Sequence, residues 1–434
     1  MNPQAVELNN EIVMQNRVIF KLLTKRGKNI FFPKKGILGQ TADAKGKKIN
    51  ATIGAAIEDD NSPMRLHAIE KLLNIDPSLA FPYAPSYGRP DIRNKWKELI
   101  YEKNPSLKGK EISLPVVSNA LTHALSIVAY MFLRKKDTLL VSDLYWGNYN
   151  LIFTRAYGTQ ISKFSLFDEN KFNLRAFEER LQSIKSKKKI ILLNFPNNPT
   201  GYTPTIEETD GIIGILKAEA KKGNNLLVIL DDAYFGLVYQ DGVARESIFS
   251  RLAGLHENLL AIKVDGPTKE DYVWGFRVGF ITYGIKNGTR ELYSALEAKT
   301  AGAVRGNISN ACNLSQSLLM NAFSTPGYWQ EKTEKYTILK ARYNKVKEVL
   351  DNPKYKTCFN AYPFNSGYFM CVKLTEGLDG EEIRKILLDK YETGIINLNN
   401  VFRIAFSSAA EKDIPELFEN IYLACKDFKD SSFA

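Results

Sequence analysis

Three short segments of the chain concentrate side chains able to do acid–base and carbonyl chemistry. Residues 194–204 read NFPNNPTGYTP, residues 231–234 read DDAY, and residues 268–279 read TKEDYVWGFRVG. A lysine such as Lys269 becomes nucleophilic toward a carbonyl only when its pKa is lowered, and partial burial beside positive charge does that. Arg277, eight residues on, carries a planar fork that meets phosphate oxygens two at a time. Asp231 opens DDAY, and a carboxylate buried there is stable beside a cation and expensive alone. Taken singly, each residue has an ordinary alternative. Lys269 would be a surface-loop lysine, Asp231 a turn acid that ends a strand, and Asn198 part of a plain Asn-Pro turn.

These residues need elements that deliver them to one place. Short apolar, β-branched runs recur at 138–142 (TLLVS), 189–194 (KIILLN), 225–231 (NLLVILD), 259–265 (LLAIKVD) and 277–283 (RVGFITY). Between several of them lie stretches with helical spacing, at 121–132, 174–184 and 209–222. Strand and helix in alternation predict an α/β fold with a largely parallel sheet, whose ligands sit beyond the carboxyl ends of the strands. Asn198 falls just after one such run, Asp231 closes another and Lys269 comes shortly after a third, as that rule requires. Beyond residue 325 the pattern changes to a long charged helix (328–350), a strand-like GYFMCVKL, helices around 380–391 and 413–428, and a strand at 401–406. The expected division is a large domain over 61–325 and a smaller α+β domain from 1–60 with 326–434.

In this order and spacing the three motifs resemble a class I (fold-type I) pyridoxal-phosphate aminotransferase, most similar to the aspartate and aromatic aminotransferases, over about residues 49–406. The resemblance implies a mostly parallel seven-stranded sheet in the large domain. It makes Lys269 the lysine that carries the cofactor as a Schiff base and moves the substrate proton. Asp231 becomes the acid beside the ring nitrogen, and Asn198 and Tyr234 the pair on the ring oxygen. Trp146 in DLYWGNYN, followed by Asn148 and Tyr149, becomes the ring stacked on the cofactor face. Arg277 would hold the phosphate with a helix N-terminus that begins near Ala120, Leu121 and Thr122 after PVVS, because free amides there favour an anion. At Ala120 and Leu121 the family usually has a small hydroxyl or glycine-rich turn, and at Gly266 commonly a serine. For the substrate, the resemblance assigns Arg403 in VFRIAF to the α-carboxylate and Gly54 to close backbone approach. Tyr83 would reach the phosphate of a neighbouring subunit, which implies a homodimer with shared sites. Arg305 in AVRGNISNACN matches an arginine that crosses the dimer to a distal carboxylate, although Ala311 and Cys312 stand where prolines usually follow.

The implied reaction is ping-pong transfer of an amino group from an amino acid to a 2-oxo acid through the pyridoxamine form of the cofactor. The donor would be aspartate or an aromatic amino acid, with 2-oxoglutarate and glutamate as the other pair. A β-lyase on the same fold would keep Lys269, Asp231 and Arg277. A cofactor-sensing regulator would need a helix-turn-helix, and the roughly 50 residues before the fold show none.

Composition narrows the remaining classes. With 44% apolar and 25% charged residues the chain reads as globular, and no leader or membrane span is expected, so a cytoplasmic location follows. The net charge of +11 is not clustered: the densest runs, 185–189 (KSKKK) and 134–136, read as solvated approaches to strands. Nucleic acid is therefore not an expected partner. Cys312, Cys358, Cys371 and Cys425 are scattered, with only three histidines, so no metal site is expected and the thiols read as buried and free.

Overall fold

The computed structural model describes residues 1–33 and 36–432. A seven-stranded sheet organises the middle of the chain. Its strands are β1 (Val116–Ser118), β2 (Thr138–Ser142), β3 (Gln160–Phe164), β4 (Lys188–Asn194), β5 (Asn225–Asp231), β6 (Leu259–Asp265) and β7 (Gly279–Gly284). They lie in the order β1-β7-β6-β5-β4-β2-β3. Only β7 runs against its neighbours, so the sheet is mostly parallel, as expected.

Successive side chains on these strands enter two different cores. Ile190, Leu192, Leu227 and Ile229 pack with helix α1 (Ala120–Phe132), whereas Ile191, Leu193, Val228 and Leu230 join the core on the opposite face. Burial on both faces is why these strands read as continuous apolar runs. Strand β3, QISKF, lies outside the apolar runs of the sequence. It is an edge strand with exposed Gln160 and Lys163, and its pattern is too short and polar to announce itself.

Two charge expectations change. Lys189 is no solvated residue: it is buried and its Nζ lies 2.7 Å from the carboxylate of Glu219, itself buried. Its neighbour Lys188 pairs with Asp137 at 2.7 Å. Cys312 also departs from the expected burial, being exposed, while Cys358, Cys371 and Cys425 are buried and free.

The C-terminal part forms a four-stranded antiparallel sheet of β8 (Phe359–Ala361), β9 (Met370–Leu374), β10 (Ile396–Asn397) and β11 (Val401–Ile404), in the order β8-β9-β11-β10. The charged helix expected at 328–350 spans those residues. Residues 49–50 pair in parallel with 393–394, and the Gln40 side chain both donates to the Asn397 carbonyl at 3.0 Å and accepts its amide at 2.6 Å. No helix among the described residues is long and apolar enough to cross a membrane.

Candidate active site

The carboxyl ends of β1, β4, β5 and β6 and the start of the reversed β7 share one edge of the sheet. Asn194 and Asp231 are register partners at that edge. The Asn194 amide donates to the Asp231 carbonyl at 2.7 Å, and its oxygen accepts the Asn198 backbone amide at 2.8 Å. One strand-end asparagine thus fixes the NNPTG turn relative to the acid.

Asp231 is buried, and the Tyr149 hydroxyl donates to its Oδ2 at 2.6 Å. Its Oδ1 is buried with no partner among the described residues. Burial pushes its pKa up to about 6, Tyr149 opposes that rise, and neighbouring Asp232 adds to it. A second buried carboxylate so close is tolerated because Lys263, also buried, pairs with Asp232, which in turn accepts from Ser247 at 2.6 Å.

Lys269 stands in the turn after β6. Its carbonyl accepts the Tyr368 hydroxyl at 2.7 Å, and its Nζ donates to the Gly54 carbonyl at 3.3 Å and lies 5.4 Å from the centre of the Tyr234 ring. Burial lowers its pKa to about 8; Arg277 and Arg403 push the same way, and Asp231 opposes them. The amine therefore has the lowered basicity that carbonyl chemistry near neutral pH demands. Burial also raises the Tyr234 phenol.

At the other end of this edge, β1 leads into α1 through Ala120, which adopts a left-handed φ of 63°. Gly279 permits that turn, since a β-carbon there would lie 2.7 Å from the Ala120 carbonyl carbon. Leu121 is buried and Thr122 half-buried. Arg277 is exposed, donates to the Trp274 carbonyl at 3.0 Å, and has no carboxylate within ion-pair distance among the described residues. It is also left-handed, with φ 55°, so β7 begins at Gly279 rather than at Arg277.

Arg403, on β11, is 3% exposed. Its Nη2 donates to the Thr52 carbonyl at 2.9 Å, its Nε is unpartnered, and no carboxylate pairs with it among the described residues. Its guanidinium lies over the Phe369 ring at 4.3 Å. Trp146 is half-buried and meets Tyr149 edge-on at 5.6 Å, on the side of the acid. Lys269, Asp231, Tyr234, Gly54 and Arg403 thus come together through direct contacts or electrostatic coupling, with Asn198 tied to Asp231 through Asn194 and Trp146 through Tyr149.

Two residues stand apart. Tyr83 is 89% exposed. Arg305 is exposed and donates to Ser309 Oγ at 2.9 Å. It sits in the last turn of the helix Arg290–Ile308, not in a loop; the helix continues until Ser309 turns the chain with a positive φ. Sequence reasoning missed Thr52, Tyr368 and Phe369, and it noted Tyr149 without its role. No local signal marks them, because their partners lie far away in the chain.

A low-basicity lysine beside a buried acid with a free oxygen, on the carboxyl edge of a parallel sheet, is a site for amine–carbonyl chemistry on a bound ring cofactor. A model of the family "aminotransferase class I and II" matches residues 47–421. The cytoplasmic aspartate aminotransferase of Caenorhabditis elegans is 26% identical over 74% of this chain and 78% of its own. The aromatic-amino-acid aminotransferase of Escherichia coli is 28% identical over 64% and 69%. An aminotransferase structure from Anaerococcus prevotii superposes with a TM-score of 0.82 at 24% identity, covering 93% of this chain and 98% of the other. The chain belongs to the aminotransferase class I and II family and is a pyridoxal-phosphate-dependent aminotransferase. The residues present fit that cofactor: the free Oδ1 of Asp231 suits a protonated ring nitrogen, and the unpaired Arg277 suits a phosphate.

Proposed function

We propose that this enzyme moves an amino group between aspartate or an aromatic amino acid and 2-oxoglutarate, by a ping-pong mechanism. Lys269 holds the cofactor and carries the substrate's α-proton on its Nζ. Asp231 keeps the ring nitrogen protonated through Oδ1 while Tyr149 holds Oδ2 in place. Asn198 and Tyr234 bond the ring oxygen, Trp146 covers the ring face, and Arg277 with the main chain from Ala120 to Thr122 holds the phosphate. When bound, the cofactor supplies an electron sink for the pair left behind as the α-carbon loses its proton. Arg403 takes the α-carboxylate, with Gly54 leaving room for the substrate beside its carbonyl. Tyr83 and Arg305, exposed in this chain, serve the site of a second copy in a homodimer. The same reading divides the chain into 61–325 and 1–60 with 326–434, and puts it in the cytoplasm, as the name of the nematode relative says of that protein.

One observation carries the substrate reading. Among the described residues, Arg403 is a buried guanidinium with no carboxylate partner. An unpaired buried cation is costly unless an anion arrives, and the anion common to every amino acid and 2-oxo acid is the α-carboxylate. The test is a panel of amino donors against 2-oxoglutarate, followed by cofactor absorbance. Glutamate formation from aspartate or an aromatic donor is expected. Release of ammonia and pyruvate without an acceptor would instead identify a lyase.

A further inference from the structure

Phe369 immediately precedes β9 and is 1% exposed. Its ring faces Arg403 at 4.3 Å from the guanidinium carbon, meets the Tyr234 ring at 5.6 Å and 72°, and has its Cζ 3.8 Å from where a β-carbon on Gly54 would stand. Its backbone is clamped. A β-carbon on Gly201, which has a φ of +69°, would fall 1.8 Å from the Phe369 carbonyl oxygen, so only glycine lets the NNPTG turn approach this closely. The Gly201 carbonyl in turn accepts the amides of Asn365 and Ser366 at 2.9 Å each.

Two kinds of neighbour can stabilise a buried guanidinium. A carboxylate meets its edge and occupies the in-plane donors, whereas an aromatic ring meets its face and leaves those donors free. Here the edge is only partly used, by the Thr52 carbonyl, and Nε has no partner among the described residues. Beyond Lys269, whose pKa it helps to lower, the titratable groups coupled to Arg403 are the Tyr234 phenol and the Cys371 thiol. Burial raises the pKa of both, Cys371 to about 12, so neither is an anion near neutral pH.

We propose that Phe369 is a positioning residue for substrate binding: its ring holds the plane of Arg403 so that the free in-plane donors meet the substrate carboxylate already oriented. This rests on the reading of Arg403 as the carboxylate ligand. Without an attractive face the guanidinium turns its free donors to other buried acceptors, and binding loses its pre-organisation.

The test uses the holoenzyme and two carboxylates that cannot be transaminated, succinate and 3-phenylpropionate, with binding read by calorimetry beside steady-state kinetics. Phe369→Leu is expected to weaken carboxylate binding and raise KM by about three- to tenfold, the scale of a partly desolvated cation–ring contact. kcat and cofactor affinity should stay within about twofold. A ring-fluorinated phenylalanine at position 369, which keeps the shape and drains the ring face, should weaken binding in the same direction with unchanged cofactor content and melting temperature. It also covers the case in which the leucine variant does not fold. Wild-type binding by the fluorinated protein would overturn the proposal, because a packing role alone would then account for Phe369. Unchanged carboxylate binding in Arg403→Leu would instead overturn the reading of Arg403 beneath it.

Discussion

Leu121 and Gly266 meet at the turn that follows β1: a β-carbon added to Gly266 would stand 3.1 Å from Leu121 Cδ1 and 2.7 Å from the Val278 carbonyl oxygen. The two departures from the family pattern are therefore one arrangement. Where relatives commonly carry a serine, this chain has no room for a side chain. Gly266→Ser should lower stability by about 1–3 kcal/mol, the usual cost of overpacking, and weaken cofactor binding. Adding Leu121→Ala should recover only part of the loss, because the Val278 carbonyl still obstructs. Denaturant titration of the cofactor-free variants measures this; full recovery in the double variant would show that Leu121 alone excludes the side chain.

Lys269→Ala should abolish covalently held, borohydride-reducible cofactor together with transamination. Retention of reducible cofactor at another lysine, located by peptide mapping, would disprove the assignment.

The same lysine gives a pH dependence. Its pKa falls from 10.5 to about 8 in the folded protein. Cofactor capture by the cofactor-free enzyme needs the neutral amine, so the capture rate should climb as pH rises through about 8 and then level off. Between about pH 8 and 10.5 the folded state holds fewer protons on this group than the unfolded state does, so its contribution to stability increases with pH across that window. Asp231 opposes the lowering. Asp231→Asn should therefore move the midpoint of the capture profile down, and a midpoint that stayed put would argue against coupling between the two residues.

Asp231→Asn should also leave cofactor bound while kcat falls roughly 10²- to 10⁴-fold, since an amide cannot keep the ring nitrogen protonated. Tyr149→Phe removes the 2.6 Å bond to Oδ2 and should cost far less, about 10-fold, because the acid itself remains. Single-turnover kinetics separate the two; equal losses would mean that Tyr149 does more than orient the carboxylate.

Arg305→Leu should lower kcat/KM for aspartate about 30-fold or more, equivalent to about 2 kcal/mol for a desolvated charge pair, and change little for phenylalanine. An equal loss for both donors would remove Arg305 from side-chain recognition and move the specificity toward neutral donors.

Much of this enzyme was legible in its sequence, because the informative features are local. Strands buried on both faces must be apolar along their length, so β4, β5 and β6 announced themselves, and Asp231 could be placed at the end of one and Lys269 just beyond another. The turn NNPTG and the eight-residue step from Lys269 to Arg277 are likewise contained in short stretches of chain. The tertiary structure alone decided what depends on distant segments meeting. Tyr149 finds Asp231, Tyr368 finds the Lys269 carbonyl, and the Phe369 ring meets the Arg403 guanidinium, each because packing brings together parts of the chain that no local pattern links. The same holds for Lys189, whose burial depends on Glu219 lying opposite, and for Arg305, whose helix ends only at Ser309. Spacing records what one segment can do, whereas a pKa of about 8 on Lys269 depends on how much water and charge the rest of the fold leaves around it.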